Sequence, residues 1–442
     1  MECIEFMKKV LVIAYYFPPS GGPGVQRVLK HVQYLQEFGW KPIVLTVANG
    51  DFPARDESLM QKIPQDIRVE RTHIYEPYDL YRKFTGKDKS VALDVNNIKK
   101  EGQSRSLTES IAEFIRSTIF IPDARIGWMF TAVKAAHHII KEEGIDMLYS
   151  SSPPYTCSLI ARAVKRSTGL PWVAGFRDPW TDFLTTPKRW FLPKMIDKAL
   201  EKSVFTEADA IESAWQGITD DALRKYPSLK PAKFYHVPNG FDSADFPTPV
   251  AHENDVCTIT YTGSMYGRRN PATLFQAIEQ LIRDGQIQAE RFRLRFIGRM
   301  GAEVMEMIEK TSFRDSIDIV PYVPHRESIR ALQQADVTLL IVDEAKESAE
   351  IVPGKVFEYI GVNKPILALA PREGAAAQHI LDSKSGWVVN QQDIQHIAKI
   401  LLHIVTSFEQ KTLQHSPDTD IIRTFERKEA AHSLAKIFTS LS

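Results

Sequence analysis

Short apolar runs alternate along the chain with segments whose apolar residues recur every three to four positions. The first unit of this pattern is clear. KVLVIA (9–14) is a continuous apolar strand and PPSGGPG (18–24) is a glycine- and proline-rich loop. A helix follows with Val25, Val28, Leu29, Val32 and Leu35 on one face, Gly39 stops it, and PIVLTV (42–47) is the next strand. IRVERT (67–72), IDMLYSS (145–151), PWVAGF (171–176) and ADAIES (208–213) continue the series. A second series begins at CTITYTG (257–263) and runs through RLRFIG (293–298), IDIVPYV (317–323), VTLLIV (337–342), PILALA (365–370) and GWVVN (386–390). Strands separated by helices imply parallel α/β sheets.

The alternation stops twice. Residues 76–106 are charged and lack periodicity, which predicts an insertion. NGFDSADFPTPVAHEND (239–255) is rich in turn formers and acids, as a linker should be. We therefore expect two doubly wound, Rossmann-like domains, 1–245 and 246–418, facing each other across a cleft. A terminal helix over 421–440 lies beyond the second sheet and is expected to return to the first domain. Ligands of such sheets bind beyond the carboxyl ends of the strands.

Bulk properties narrow the partners. Lysine plus arginine equals aspartate plus glutamate at 55 each among 442 residues, so no global field favours nucleic acid or anionic lipid. Apolar residues make up 43%, enough for sizeable cores. Cys3, Cys157 and Cys257 lack metal spacing and suit a reducing cytoplasm. MKKVLVIAYYF (7–17) has the basic start of a secretion signal, but it runs into PPSGGPG instead of a small-residue cleavage site, so it reads as the first buried strand.

Three stretches carry candidate chemistry. SGGPGVQR (20–27) follows a strand and opens a helix, so Gly21, Gly22 and Arg27 form either a simple strand-to-helix turn or an anion cradle. It is neither the dinucleotide fingerprint nor a P-loop. YTGSMYGRRNP (261–271) offers Gly263, the adjacent Arg268 and Arg269, and Asn270-Pro271 as a helix start. It is either a solvated basic turn or a diphosphate site. EIVPGKVFEYI (350–360) places Glu350 before a Pro-Gly-Lys turn and Glu358 after it, with Pro353 at the first helical position. Lys355 in a first helical turn is electrostatically unfavourable, and an anionic ligand would reverse that. A surface salt bridge is the alternative. One cation for phosphate with two carboxylates for hydroxyls is the profile of a sugar nucleotide site.

These residues resemble the retaining GT-B glycosyltransferases of family 4, most closely a bacterial polysaccharide subgroup. The carrying motifs are Glu350, seven residues and Glu358, with VPNGFD (237–242), SGGPGVQR, PDARIGW (122–128) and GFRDPW (175–180). The resemblance covers nearly the whole chain, 76–106 least. It implies a metal-independent hexosyltransferase with a nucleotide diphosphate sugar as donor, no cofactor and a lipid-linked saccharide as acceptor. Glu350 would bind the hexose and Glu358 the ribose, while Arg269 (where the family usually has lysine) and Lys355 would hold the diphosphate. Ser264 stands where arginine is common, with Arg268 as compensation. Where many members carry a histidine, this chain has Arg177 and Asp178 on the acceptor side. A GT-B sugar-nucleotide 2-epimerase-like isomerase and a non-catalytic polysaccharide-assembly protein are the rival readings.

Segments 114–130 and 185–202 mix basic residues with Trp, Phe and Ile. They read either as plain core helices or as a seat on the cytoplasmic face of the inner membrane, with Lys188, Arg189 and Lys194 supplying the charge. Two other patterns read as structural. Asp-Thr-Asp (418–420) precedes the terminal helix and reads as a cap, and His137-His138 lacks a metal-binding partner nearby in sequence.

Overall fold

The computed structural model describes residues 7–52, 54–75, 117–118, 120–183, 186–187, 189–250, 252–267, 269–342 and 352–442. It divides into two compact units, Met1–Asn239 with Arg427–Ser442, and Gly240–Glu426. The segment read as a linker from 239 thus begins the second unit, where Phe241 joins the core and donates its N–H to the Phe425 carbonyl at 3.0 Å.

The first unit is built on β1 (Lys8–Ala14), β2 (Trp40–Val47), β3 (Val69–Thr72), β4 (Met147–Ser152), β5 (Trp172–Phe176), β6 (Ala210–Ser213) and β7 (Phe234–His236). The sheet order is β3-β2-β1-β4-β5-β6-β7, with every described pairing parallel. The unbroken apolar run of β1 follows from burial on both faces. Val10, Val12 and Ala14 pack into the layer that holds the helices Pro23–Tyr34 and Arg427–Leu441. Leu11, Ile13 and Tyr15 pack into the opposite layer with the helices Met129–Glu143 and Thr156–Thr168. The strand β7 leaves no signal in the sequence, because three residues, two half-buried and one exposed, are too short to show alternation.

The second unit repeats this plan with β8 (Cys257–Thr262), β9 (Phe292–Ile297), β10 (Ile317–Val320), β11 (Val337–Ile341), β12 (Ile366–Leu369) and β13 (Gly386–Val389). Their order is β10-β9-β8-β11-β12-β13. In each sheet the strand order reverses once, between β1 and β4 and between β8 and β11. The fold is α/β of the GT-B kind. Ligands of doubly wound sheets bind at these reversals, because the diverging crossovers leave the strand ends uncovered.

The predicted helix over 421–440 is two helices, Thr419–Thr424 and Arg427–Leu441, broken where the chain passes from the second unit to the first. Asp418 caps the first of them by accepting from the Ile421 N–H at 3.2 Å. Among the described residues, no helix is long and apolar enough to cross a membrane.

Candidate functional site

In the second unit, β8 ends at the sheet reversal and hands over to Gly263, at φ +116°. Gly263 donates its N–H to the Ile297 carbonyl at 2.8 Å, and a Cβ at neighbouring Gly298 would collide with the Gly263 carbonyl. Gly263 is therefore required by its positive φ, and Gly298 by close backbone approach as well as its φ of +132°. The helix Lys355–Gly361 is tied to the same place: the Tyr359 hydroxyl accepts from the Thr262 N–H at 2.9 Å. Its anchors Val356, Phe357, Tyr359 and Ile360 are buried. The apolar residues around the carboxylates are thus the device that fixes this helix against the first strand of the unit.

That packing brings the cations together. The Lys355 ammonium lies 4.0 Å from the centroid of the Tyr261 ring, and a Cβ on Gly263 would stand 3.8 Å from its Nζ. Arg269 also acts on Tyr261, and its Nε is buried without a hydrogen-bond partner among the described residues. Burial, then the Arg269 charge, pulls the Lys355 ammonium down to about 7, against an opposing pull from Glu358. Burial pushes the Tyr261 hydroxyl up to about 12, with Arg269 opposing. Two cations gathered at one tyrosine, Lys355 over its ring and Arg269 acting on its hydroxyl, repel each other, and an anion bridging them would relieve both the repulsion and the desolvation.

Glu358 faces another way as well. Its Oε1 lies 2.9 Å from the His325 Nε2, at the start of the helix His325–Gln333. His325 has no signal in the sequence, since only folding brings β10 and its following helix beside Glu358. The start of the helix Ala272–Arg283 is fixed by Asn270, whose side-chain oxygen accepts from the Ala272 N–H at 3.0 Å.

In the first unit, the loops after β1, β4 and β5 converge. Gly22 takes φ +97° at the start of the helix Pro23–Tyr34, and Gly21 donates its N–H to the Ala54 carbonyl at 2.9 Å. The Arg177 guanidinium lies against this helix's first turn, where a Cβ at Gly24 would collide with it. It also donates to the Ser152 and Pro153 carbonyls and sits 5.9 Å from the Tyr16 ring. A cation at a helix amino terminus favours an added anion. Asp178 beside it is half-buried, and burial pushes its carboxyl up against the opposing pull of Arg177.

Residues 256–407 match the family model described as "Glycosyl transferases group 1", and residues 99–245 match "Glycosyltransferase Family 4". Both units are glycosyltransferase domains on a GT-B fold. No curated protein sequence matches the chain. Among solved structures, the chain is similar to a sucrose-phosphate synthase from Thermosynechococcus elongatus, at 13% identity and TM-score 0.59, over 98% of this chain and 99% of that one. It is also similar to S. aureus TarM in complex with fondaparinux, α-GlcNAc-glycerol and UDP, at 10% identity and TM-score 0.55, over 98% and 100%. A third is a putative UDP-N-acetylglucosamine 2-epimerase from Listeria monocytogenes, at 13% identity and TM-score 0.51, over 96% and 93%.

Within this glycosyltransferase the anticipated residues divide into three groups. Gly263, Arg269, Lys355 and Glu358 come together around the end of β8, and Gly21, Gly22 and Arg177 around the end of β1, with Asp178 next to Arg177 in the loop after β5. Glu350 and Arg268 lie outside the described residues. Arg27 is a correction. Its guanidinium is 1% exposed, pairs with Glu212, and donates to Val237 O, Pro238 O and Asn239 Oδ1 at 2.7, 3.0 and 3.1 Å. Both terminal nitrogens are engaged, so Arg27 belongs to the core and not to a phosphate loop. A smaller correction concerns Pro353. The helix starts at Lys355, so Pro353 precedes the cap residue Gly354; Glu358 falls in the first turn.

The histidine pair does have an acidic neighbour in sequence, which corrects the reading that it lacks one. His138 pairs with Glu142 at 3.1 Å, and His137 lies 3.1 Å from the Ser167 hydroxyl.

Proposed function

We propose that this glycosyltransferase moves a hexose from a nucleoside diphosphate sugar, with retention and without a metal, to a lipid-linked saccharide in cell-surface polysaccharide or glycoconjugate synthesis. One observation carries the reading: Arg269 and Lys355 converge on Tyr261 beside the Gly263 backbone, at the sheet reversal. Two cations there match the charge of a diphosphate, and the chain's own side chains would neutralise the leaving group.

In the reaction, the bond between the anomeric carbon and the diphosphate oxygen breaks as the acceptor oxygen bonds the same face of the sugar. The acceptor's proton passes to the departing diphosphate. Arg269, Lys355 and, in sequence, Arg268 would stabilise the charge that develops on that oxygen, and fixed charges aimed at a departing anion are the main source of rate in a site of this kind. Glu358 would accept from the ribose hydroxyls and Glu350 from the hexose. Gly21, Gly22, Arg177 and Asp178 would line the acceptor side.

Incubation with a panel of nucleotide sugars, read by thermal shift and then by product anomer, tests this. A protein that shifts with no nucleoside diphosphate overturns it. A second reading, sugar-nucleotide epimerisation, is favoured by the fold shared with the Listeria protein. Turnover of the donor without any acceptor would select it.

A further inference from the structure

The first turns of the helix Phe191–Glu207 are turned inside out, while its last turns bury Val204 and Phe205 in the core. Its core-facing positions include Asp197 and Glu201, both buried, alongside Pro193 and Val204. Its outward positions carry Phe191, Leu192, Met195 and Ile196, at 75%, 51%, 53% and 43% exposure, with Trp190 just before them at 48%. This is no accident of register. Rotating the helix by half a turn would bury those side chains and release the acids, as an ordinary amphipathic surface helix does. The fold instead satisfies the acids inside. Asp197 accepts from Trp180 Nε1 at 2.9 Å and Arg189 Nε at 2.8 Å. Glu201 accepts from the Thr181 N–H and hydroxyl at 3.0 and 2.6 Å, and from the Tyr226 hydroxyl at 2.7 Å.

The charges left outside select the partner. Lys194 and Lys198 flank Asp182 at 2.8 and 2.9 Å, and Lys202 is exposed on the next turn. The outward face thus joins large apolar side chains to a rim of net positive charge. A second copy of this chain would set lysine rim against lysine rim, whereas an anionic surface complements it. The exposed Trp190 ring, held at its edge by a hydrogen bond from Nε1 to Thr118 at 3.0 Å, suits the headgroup boundary.

We infer that the Phe191–Lys202 stretch is the surface by which this protein docks on an anionic lipid bilayer. The helix lies in the interface plane, with Phe191, Leu192, Met195 and Ile196 at the acyl boundary and the lysines at the headgroups. The inference deepens the proposed function and rests on it for the lipid-linked acceptor, which such docking would bring to the first unit.

Flotation without nucleotide tests it, using phosphatidylglycerol–phosphatidylethanolamine vesicles against phosphatidylcholine vesicles. The wild-type protein is expected to float with the anionic vesicles at low salt and to be released by salt. Leu192→Asp with Met195→Asp should abolish flotation, and Lys202→Gln should weaken it about fivefold, the worth of one basic residue at an anionic surface. Both variants change exposed positions, so their melting and nucleoside diphosphate binding should match wild type. Wild-type protein that stays in solution, or an aspartate variant that still floats, overturns the inference. Concentration-dependent dimers that the aspartate variant abolishes, without vesicle binding, would assign the face to a second copy. Failure of flotation leaves donor binding untouched, and failure of donor binding leaves flotation untouched, so the two readings fail separately.

Discussion

The Lys355 ammonium rests 4.0 Å from the centroid of the Tyr261 ring, and the two residues come from different βα units, whose strands pair in the sheet and whose ends are tied by Tyr359 on Thr262. Burial and Arg269 bring this lysine down to about 7, while Glu358 opposes them. A bound diphosphate favours the charged form, so its binding should be linked to a proton. Below about 7 the free ammonium is already charged and affinity should be greatest. Above it, binding must take up a proton, and affinity should fall by about tenfold per pH unit until the bound-state value is reached. Calorimetry in buffers of different ionisation heat should show this uptake. Lys355→Arg, which keeps its charge, should flatten the profile.

Removing charge outright tests the same pair. Arg269→Ala and Lys355→Ala should each weaken nucleoside diphosphate binding by about 1.5–3 kcal/mol, the range for charge-assisted hydrogen bonds. Nucleosides without phosphates should bind both variants as they bind wild type. If both variants hold the diphosphate at full strength, the site lies elsewhere.

The carboxylates should separate by ligand. Glu358→Gln should raise the Kd of the free nucleotide, because its contact would be to the ribose. Glu350→Gln should lower kcat with little change in nucleotide Kd, because its contact would be to the hexose. Since His325 lies against Glu358 at 2.9 Å, His325→Ala should reproduce part of the Glu358 effect and none of the Glu350 effect. Equal loss of nucleotide binding in both glutamine variants would remove the division.

The alternation of apolar runs and helices carries most of the fold because each strand is buried on both faces. Val10 and Leu11 are both fully buried, in opposite layers, and that leaves a continuous apolar run in the sequence. The candidate site can be read as a grouping where a local pattern suffices, as with Gly263, Arg269 and Lys355, which the fold brings together. It is not legible where function depends on which elements meet. Nothing local to Arg27 distinguishes a loop cation from one that reaches Glu212 across the fold. Likewise a helix carrying Asp197 and Glu201 beside Leu192 and Met195 has the same composition whichever face turns inward.

Arg189 illustrates the consequence. Its side chain is 2% exposed, pairs with Asp197 and donates to the Ser117, Phe120 and Pro122 carbonyls. In sequence it reads as a membrane contact together with Lys194 and with Lys188, which lies outside the described residues. The structure makes it the clamp that holds the start of the helix Phe191–Glu207. Arg189→Glu should therefore lower the melting temperature of the protein, whereas Lys194→Glu, at an exposed position, should leave it near wild type. Differential scanning calorimetry separates the two, and equal melting would return Arg189 to the surface.

Arg27 and Glu212 give the strongest stability prediction. Both side chains are 1% exposed, and the Tyr149 hydroxyl donates to the free carboxylate oxygen of Glu212 at 3.0 Å. The pair ties the helix Pro23–Tyr34 to β6 and to residues 237–239, the last before the second unit. Arg27→Met would leave the Glu212 carboxylate buried without its cation, a change that costs about 3–5 kcal/mol. Adding Glu212→Gln removes the stranded charge, so the double variant should regain part of that loss. Urea unfolding of the three proteins measures it. A phosphate-loop arginine would behave in the opposite way, losing ligand affinity at unchanged stability. If Arg27→Met unfolds at the wild-type urea midpoint, the pair does not hold this corner of the fold.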